Sequence, residues 1–152
     1  MAYGDCRTAI ANVLAAVTAV NPNGGAALTV KKVFENPPAT IHATDTPCYV
    51  LHGPGPGSME YMAGAAAVEE AESEMVRLYV HDAEYDQAAN IVRNFRAGLL
   101  TAFKAVAAGR MEVSGTSHGA IVKIDWDAMA GYEPGLKVVG QEIRIGFLVK
   151  AP

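Results

Sequence analysis

The residues able to do chemistry are few and scattered. Asp125 and Asp127 stand two apart in an alternating stretch, which places both on one face of a strand. Paired carboxylates can serve as general acid and base, but only if their surroundings push one pKa away from the other. No neighbouring pattern here would do that, and a solvated strand face accounts for the pair. Ser114, Ser117 and His118 crowd a glycine-rich loop without the Gly-x-Ser-x-Gly elbow that exposes a serine nucleophile. The histidines at 42, 52, 81 and 118 lack the close spacing of a metal motif, and there is no Cys-x-x-Cys. The reading is therefore of no catalytic set, no metal and no cofactor. Cys6 and Cys48 form no disulfide framework and are expected as free, buried or half-buried thiols. Trp126, the sole tryptophan, is expected to pack in the core or at an interface.

The segment Gly53-Pro54-Gly55-Pro56-Gly57 is glycine-rich but does not end in Gly-Lys-Ser/Thr, and its prolines lack the N–H groups that would bind phosphate. It reads as a stiff hinge at the base of a loop rather than a nucleotide site. The following residues are the most informative in the chain. Met59, Tyr61 and Met62 are adaptable apolar side chains, and Glu60, Glu69, Glu70 and Glu72 make the stretch strongly acidic. A long excursion in a small domain tends to be functional. These seven residues are the candidate site, expected to contact a neighbouring subunit or to line an opening.

The elements that must carry this segment follow from periodicity. Asp5 is placed to cap a first helix, with Ile10, Val13, Leu14 and Val17 on one face and Asn21-Pro22 as its end. Ala27–Glu35 reads as a strand whose alternation slips at Lys32-Val33, stopped by Asn36-Pro37-Pro38, with 39–46 as an irregular connection. Pro47–His52 and Glu74–His81 are two strands of a hairpin, with the intervening 20-odd residues as its tip. A long helix starts at Asp82 and carries Tyr85, Ala88, Ala89, Val92, Phe95, Leu99, Phe103 and Val106 at three-to-four spacing, with Gly109 as C-cap and Lys104 and Arg110 at its far end. Ala120–Asp127 and Val138–Val149 are closing strands around a turn at Gly131–Gly135. The order α-β-β-β-α-β-β, with short turns between strands, predicts one α+β domain over 1–152. It is a two-layer sandwich, a mostly antiparallel sheet with both helices on one face.

Composition narrows the role. Hydrophobic residues make up 51% and charged residues 18%, which excludes a disordered chain and leaves apolar surface for partners. A net charge of −4 with scattered lysines and arginines gives no basic stripe, so tight binding to nucleic acid is not expected. Ile10–Val20, the longest apolar stretch, is too short and too interrupted to cross a membrane, and a cytosol-like compartment is expected.

The pattern resembles a known family. A first helix is followed by a strand ending Glu35-Asn36-Pro37-Pro38 and a strand opening Pro47-Cys48-Tyr49-Val50. A long hairpin, a strand running into a long helix over Arg77–Val106 and two closing strands complete the pattern. Together they resemble the tail terminator proteins of long-tailed phages, also called tail completion or head–tail joining proteins, over nearly the whole chain. That resemblance implies a virion protein of the head–tail junction. It would be a homohexameric ring that caps the tail tube, ends tail polymerisation and meets the head–tail connector or stopper protein. Its implied partners are copies of itself, the major tail tube protein and that connector, with DNA passing through a central channel without specific binding. Glutamates at 60, 69, 70, 72 and 74 facing such a channel would repel phosphates within a Debye length. The other readings are a different neck ring, such as a stopper or connector, a small α+β enzyme using Asp125, Asp127 or His118, and a ligand-binding module.

Overall fold

In the computed structural model the described residues are 3–61, 68–81, 85–105, 110–113, 116–133 and 138–150. The chain opens with α1 (Tyr3–Ala15), then β1 (Thr18–Ala19), β2 (Leu28–Thr29) and β3 (Lys32–Phe34). A 3₁₀ turn at Ala43–Asp45 leads into β4 (Cys48–Pro54), β5 (Ser58–Tyr61) and β6 (Val68–His81). Helix α2 (Tyr85–Ala105) follows, and β7 (Arg110–Val113), β8 (Thr116–Glu133) and β9 (Val138–Lys150) complete the fold. The large sheet has the order β3-β4-β6-β9-β8-β7, with β5 also paired to β6. All its pairings are antiparallel except β3 with β4. This is the expected α+β fold.

Both helices pack on one face of the sheet. Alternation along the strands turns Tyr49 and Leu51, Val76, Leu78 and Val80, and Ile143, Ile145 and Phe147 towards them. From α1 come Cys6, Ile10 and Leu14, and from α2 Val92, Phe95, Leu99 and Phe103, all buried in the same cluster. Each such leucine, isoleucine or phenylalanine contributes roughly 1.5–3 kcal/mol by leaving water. On the opposite face Cys48 and Val50 are also buried, but much of that face carries charge. There Arg77 meets Glu142 at 3.0 Å, Lys123 meets Asp125 at 3.4 Å and Arg144 meets Asp127 at 3.3 Å.

The first helix departs from expectation at both ends. It already begins at Tyr3, so Asp5 lies in its first turn rather than capping it. It stops at Ala15, not at Asn21, and i→i−3 bonds from Ala16 N–H to Val13 O (3.1 Å) and Val17 N–H to Leu14 O (3.2 Å) satisfy its last carbonyls. Branched Val17, Thr18 and Val20 then favour extended backbone, and Thr18–Ala19 pairs with Leu28–Thr29 as a two-stranded flap. The turn between them is closed by Asn21, whose side-chain oxygen accepts from Asn23 N–H at 3.0 Å, while Gly24 and Gly25 supply positive φ. The slip at Lys32-Val33 marks a change of partner: β2 belongs to the flap and β3 to the main sheet.

Further differences lie in the later strands. Thr116–Glu133 is one strand of 18 residues, so Ser117 and His118 are on a strand, not in a loop, and the turn cannot begin at Gly131. Register shifts at three places along β8 let so long a strand stay paired while it bends. Arg110 opens β7, a strand missed from sequence, instead of ending the helix. Asp82, Val106, Gly109 and Ser114 lie outside the described residues.

Helix α2 is tied to the flap through two small contacts. Asn94 Nδ2 donates to Val20 O at 2.8 Å, and a methyl group placed on Gly98 would run into the Thr18 carbonyl oxygen. Replacing a helical glycine by alanine ordinarily gains about 1 kcal/mol, whereas overpacking against backbone costs about 1–3 kcal/mol. Gly98→Ala is therefore expected to cost stability by a net of up to ~2 kcal/mol, read as a lower urea midpoint; a raised midpoint would mean that β1 does not dock on α2.

Candidate functional site

The candidate residues fall on a hairpin, not on a loose loop. Met59, Glu60 and Tyr61 belong to β5, and Glu69, Glu70 and Glu72 to β6; Met62 lies outside the described residues. Strand β6 begins at Val68 rather than Glu74, so the expected tip is mostly paired backbone. Its register sets Met59 across from Glu70, Glu60 across from Glu69 and Tyr61 across from Val68. On its other side β6 pairs with β9 without interruption from Glu69↔Lys150 to His81↔Val138. Fourteen residues of strand span roughly 46 Å. The β4–β5/β6 hairpin is thus a long arm, backed along its length by β9.

The glycine–proline run is not a hinge. It is strapped to β6. Gly55 N–H donates to Ser73 O at 2.9 Å, and Ser73 Oγ donates to Pro56 O at 2.7 Å. A methyl on Gly55 would meet Ser73 Oγ and Met75 Sδ, so both side chains would have to shift for the strap to lie this close. One residue earlier, the ladder between β4 and β6 shifts between Leu51 and Gly53, leaving His52 as the extra residue. Gly53 takes φ 117, a conformation open to glycine, and its N–H turns to Glu74 Oε1 at 3.1 Å.

Glu74 is the centre of this junction. Its side chain is fully buried on the helix-facing side of β6, where an apolar residue would be expected from the alternation with Val76 and Leu78. Arg7 Nε from α1 meets Glu74 Oε1 at 3.2 Å. The same guanidinium donates through Nη2 to Glu35 O and to Leu51 O, the latter at 3.4 Å. One buried ion pair therefore ties α1, the chain after β3, β4 with its Gly53 bulge, and β6 together at the root of the arm. Burial pushes the Glu74 carboxyl up to about 7, with the Gly53 N–H pulling the other way. Sequence reasoning missed this pair because Arg7 and Glu74 are 67 positions apart. The one available signal was a glutamate at an apolar-phase position of β6.

The residues singled out for chemistry are not brought together. Asp125 is held by Lys123 and Asp127 by Arg144. His42, His52 and His81 are each exposed. Cys6 and Cys48 are buried free thiols, and the Cys48 thiol is pushed up to about 11, first by burial and then by Asp45, with Lys32 opposing. A thiol in that state is a poor nucleophile at neutral pH. Among the described residues no group of three or more His, Cys, Asp or Glu could hold a metal, and no helix is long and apolar enough to cross a membrane. Trp126 is 42% exposed, a surface residue rather than a core one.

Removing one partner from a buried ion pair strands the other, at a cost of about 3–5 kcal/mol. Arg7→Met and Glu74→Ala are each expected to destabilise the fold by that order, read from denaturant midpoints. The sign of the pH effect follows from the raised Glu74 pKa. The folded state holds the proton more tightly than the unfolded one, so this contribution is complete below about 4.5 and is lost as pH rises through about 7. Glu74→Gln should flatten the stability profile between pH 5 and 7; an unchanged slope would show that another group sets it.

No protein-family model matches the chain, and no curated protein matches it in sequence. Among solved structures, a chain of the virion of the native gene transfer agent particle superposes with a TM-score of 0.51, at 11% sequence identity. The match covers 99% of this chain and 100% of that chain, so the two share one fold from end to end.

Proposed function

We propose that this chain is a structural virion protein of the phage type, acting at the end of a tail as a ring-forming terminator. The observation that carries the reading is the fold shared over full length with a chain of a gene transfer agent virion. A long strand-paired arm on a small α+β body supports it, because an arm anchored at its root suits contact with a neighbour. In this reading copies of the chain close into a ring, a homohexamer by the family resemblance. The ring caps the tail tube, stops its polymerisation and offers its other side to the head–tail connector. DNA passes through the middle without specific contacts, in keeping with a net charge of −4. The sites of action are the head–tail junction of the virion and, during assembly, the host cytoplasm. Catalysis has no part in this role. A different neck ring, a stopper or connector, is the second reading, and it shares the ring architecture.

The test is assembly without the chain. Negative-stain images of particles lacking this gene product are expected to show overlong tails, or tails unjoined to heads. Tails of normal length joined to filled heads would overturn the terminator reading, and normal-length tails unjoined to heads would favour the stopper.

A further inference from the structure

Helix α2 and strand β8 leave a groove of 360 Å³ that the fold does not fill, lined by Ala89, Arg93, Arg96, Trp126, Asp127 and Gln141. Its chemistry is cationic and aromatic. Arg96 lies over the Trp126 ring, 4.5 Å from the centroid, and its Nη2 reaches Gln141 Oε1 at 3.4 Å. The Arg96 Nε is buried with no hydrogen-bond partner. Arg93 stands one turn away on the same face of α2 and is exposed. Burial, and then the Arg93 charge, work against the charge on Arg96. Asp127 borders the groove through its carbonyl, which accepts from Gln141 Nε2 at 3.1 Å, while its carboxylate pairs with Arg144 at 3.3 Å on the other face of the sheet. Further along the same face, Leu100 is 42% exposed and Lys104 closes the last turn; Asp86 lies at the helix start. The groove thus offers two arginines, with no carboxylate left over inside it, beside an exposed tryptophan.

The chain itself carries the complement. No lysine or arginine occurs between Lys32 and Arg77, while Glu60, Glu69, Glu70 and Glu72 fall within that interval. The hairpin register sets Glu60 directly across from Glu69. Lys150 stands across from Glu69 on the other side, but Glu70 has only Met59 and Val149 as register partners. By its sequence this segment is acidic, opposite in charge to the arginines of the groove. The groove's occupant cannot be the same chain's arm. Gln141 of the groove is in register with Leu78, ten residues of β6 from Val68, or roughly 33 Å, along a strand held rigid by β9.

We propose that this groove receives the acidic hairpin arm of a second copy of the chain, so that copies join head to tail. The contact is heterologous, arm into groove, and leaves each copy with one free arm and one free groove until the ring closes. It rests on the ring-assembly reading above and names the surfaces that build the ring.

The test uses the full chain at rising concentration in low-salt buffer, with sedimentation velocity and the emission of Trp126, the sole tryptophan, read together. Association accompanied by a change in Trp126 emission is expected, weakened at about 1 M salt, where the screening length falls to about 3 Å. Arg93→Glu, a change at an exposed position, should weaken association about tenfold or more, as should Glu69→Lys with Glu70→Lys. Combining the two reversals should restore it, and Lys31→Glu, outside the groove, should leave it unchanged. A chain that stays monomeric at every concentration overturns the proposal. So does association that Arg93→Glu leaves at full strength; the ring reading then survives with a different interface, and only normally terminated, joined tails would overturn that reading as well.

Discussion

The arm of this protein depends on a buried ion pair. The Glu74 carboxylate sits at a position where the sheet would otherwise place an apolar side chain, and the Arg7 guanidinium reaches it from α1. Such a pair adds little net stability compared with well-packed hydrophobic residues, because both charges must leave water. What it adds here is geometry. The guanidinium also binds the Glu35 and Leu51 carbonyls, and the carboxylate also binds the Gly53 N–H, so four segments meet with their polar groups satisfied. A hydrophobic substitute would bury as much surface but would leave the bulge N–H and the two carbonyls to find other partners.

From that junction the sheet divides into two parts. Towards the helices, Tyr49, Leu51, Val76, Leu78, Ile143 and Ile145 form a core that holds α1 and α2. Beyond Glu74 the strands continue: β5 pairs with β6, and β6 with β9 as far as Lys150. The Gly55–Pro56 strap bridges the two parts. Glycine lets the chain lie against Ser73, and proline at 54 and 56 leaves no spare N–H groups to draw in other strands. The arm is therefore an extension of the main sheet, stiffened by its neighbours, rather than a loop that must order on contact.

Charge is sorted along the chain in the same way. The interval from Lys32 to Arg77 holds the acidic arm without a single basic residue, while α2 carries Arg93, Arg96 and Lys104. The outer sheet face neutralises itself through Arg77–Glu142, Lys123–Asp125 and Arg144–Asp127. The acidic arm segment and the arginines of the α2 groove thus lie at two separate places in the fold. In the proposed arm-into-groove contact such separation matters, because complementary surfaces on one chain serve assembly only when they cannot reach each other.

The long helix, a strand read at 47–52, a closing strand read at 138–149 and the acidic, methionine-bearing segment were all legible in the sequence. Each rests on a local property: a 3.6 or 2.0 period, a proline stop, a run of like charge. The α+β class followed from their order. What local pattern could not supply was the partner of each segment. The slip at Lys32-Val33 was visible, but that it divides a flap strand from a sheet strand depends on what lies alongside. Residues 58–61 and 68–73 read as loop because their composition is poor for a strand, and the pairing of β5 with β6 and of β6 with β9 overrides that propensity. The Gly-Pro run read as a hinge because its bonds to Ser73 cross 17 positions. Sequence determines which residues are apolar, charged or stiff. Only the tertiary structure decides which of them meet, because Arg7 with Glu74 and Arg96 with Trp126 are made neighbours by the packing of helices on a sheet and not by spacing along the chain.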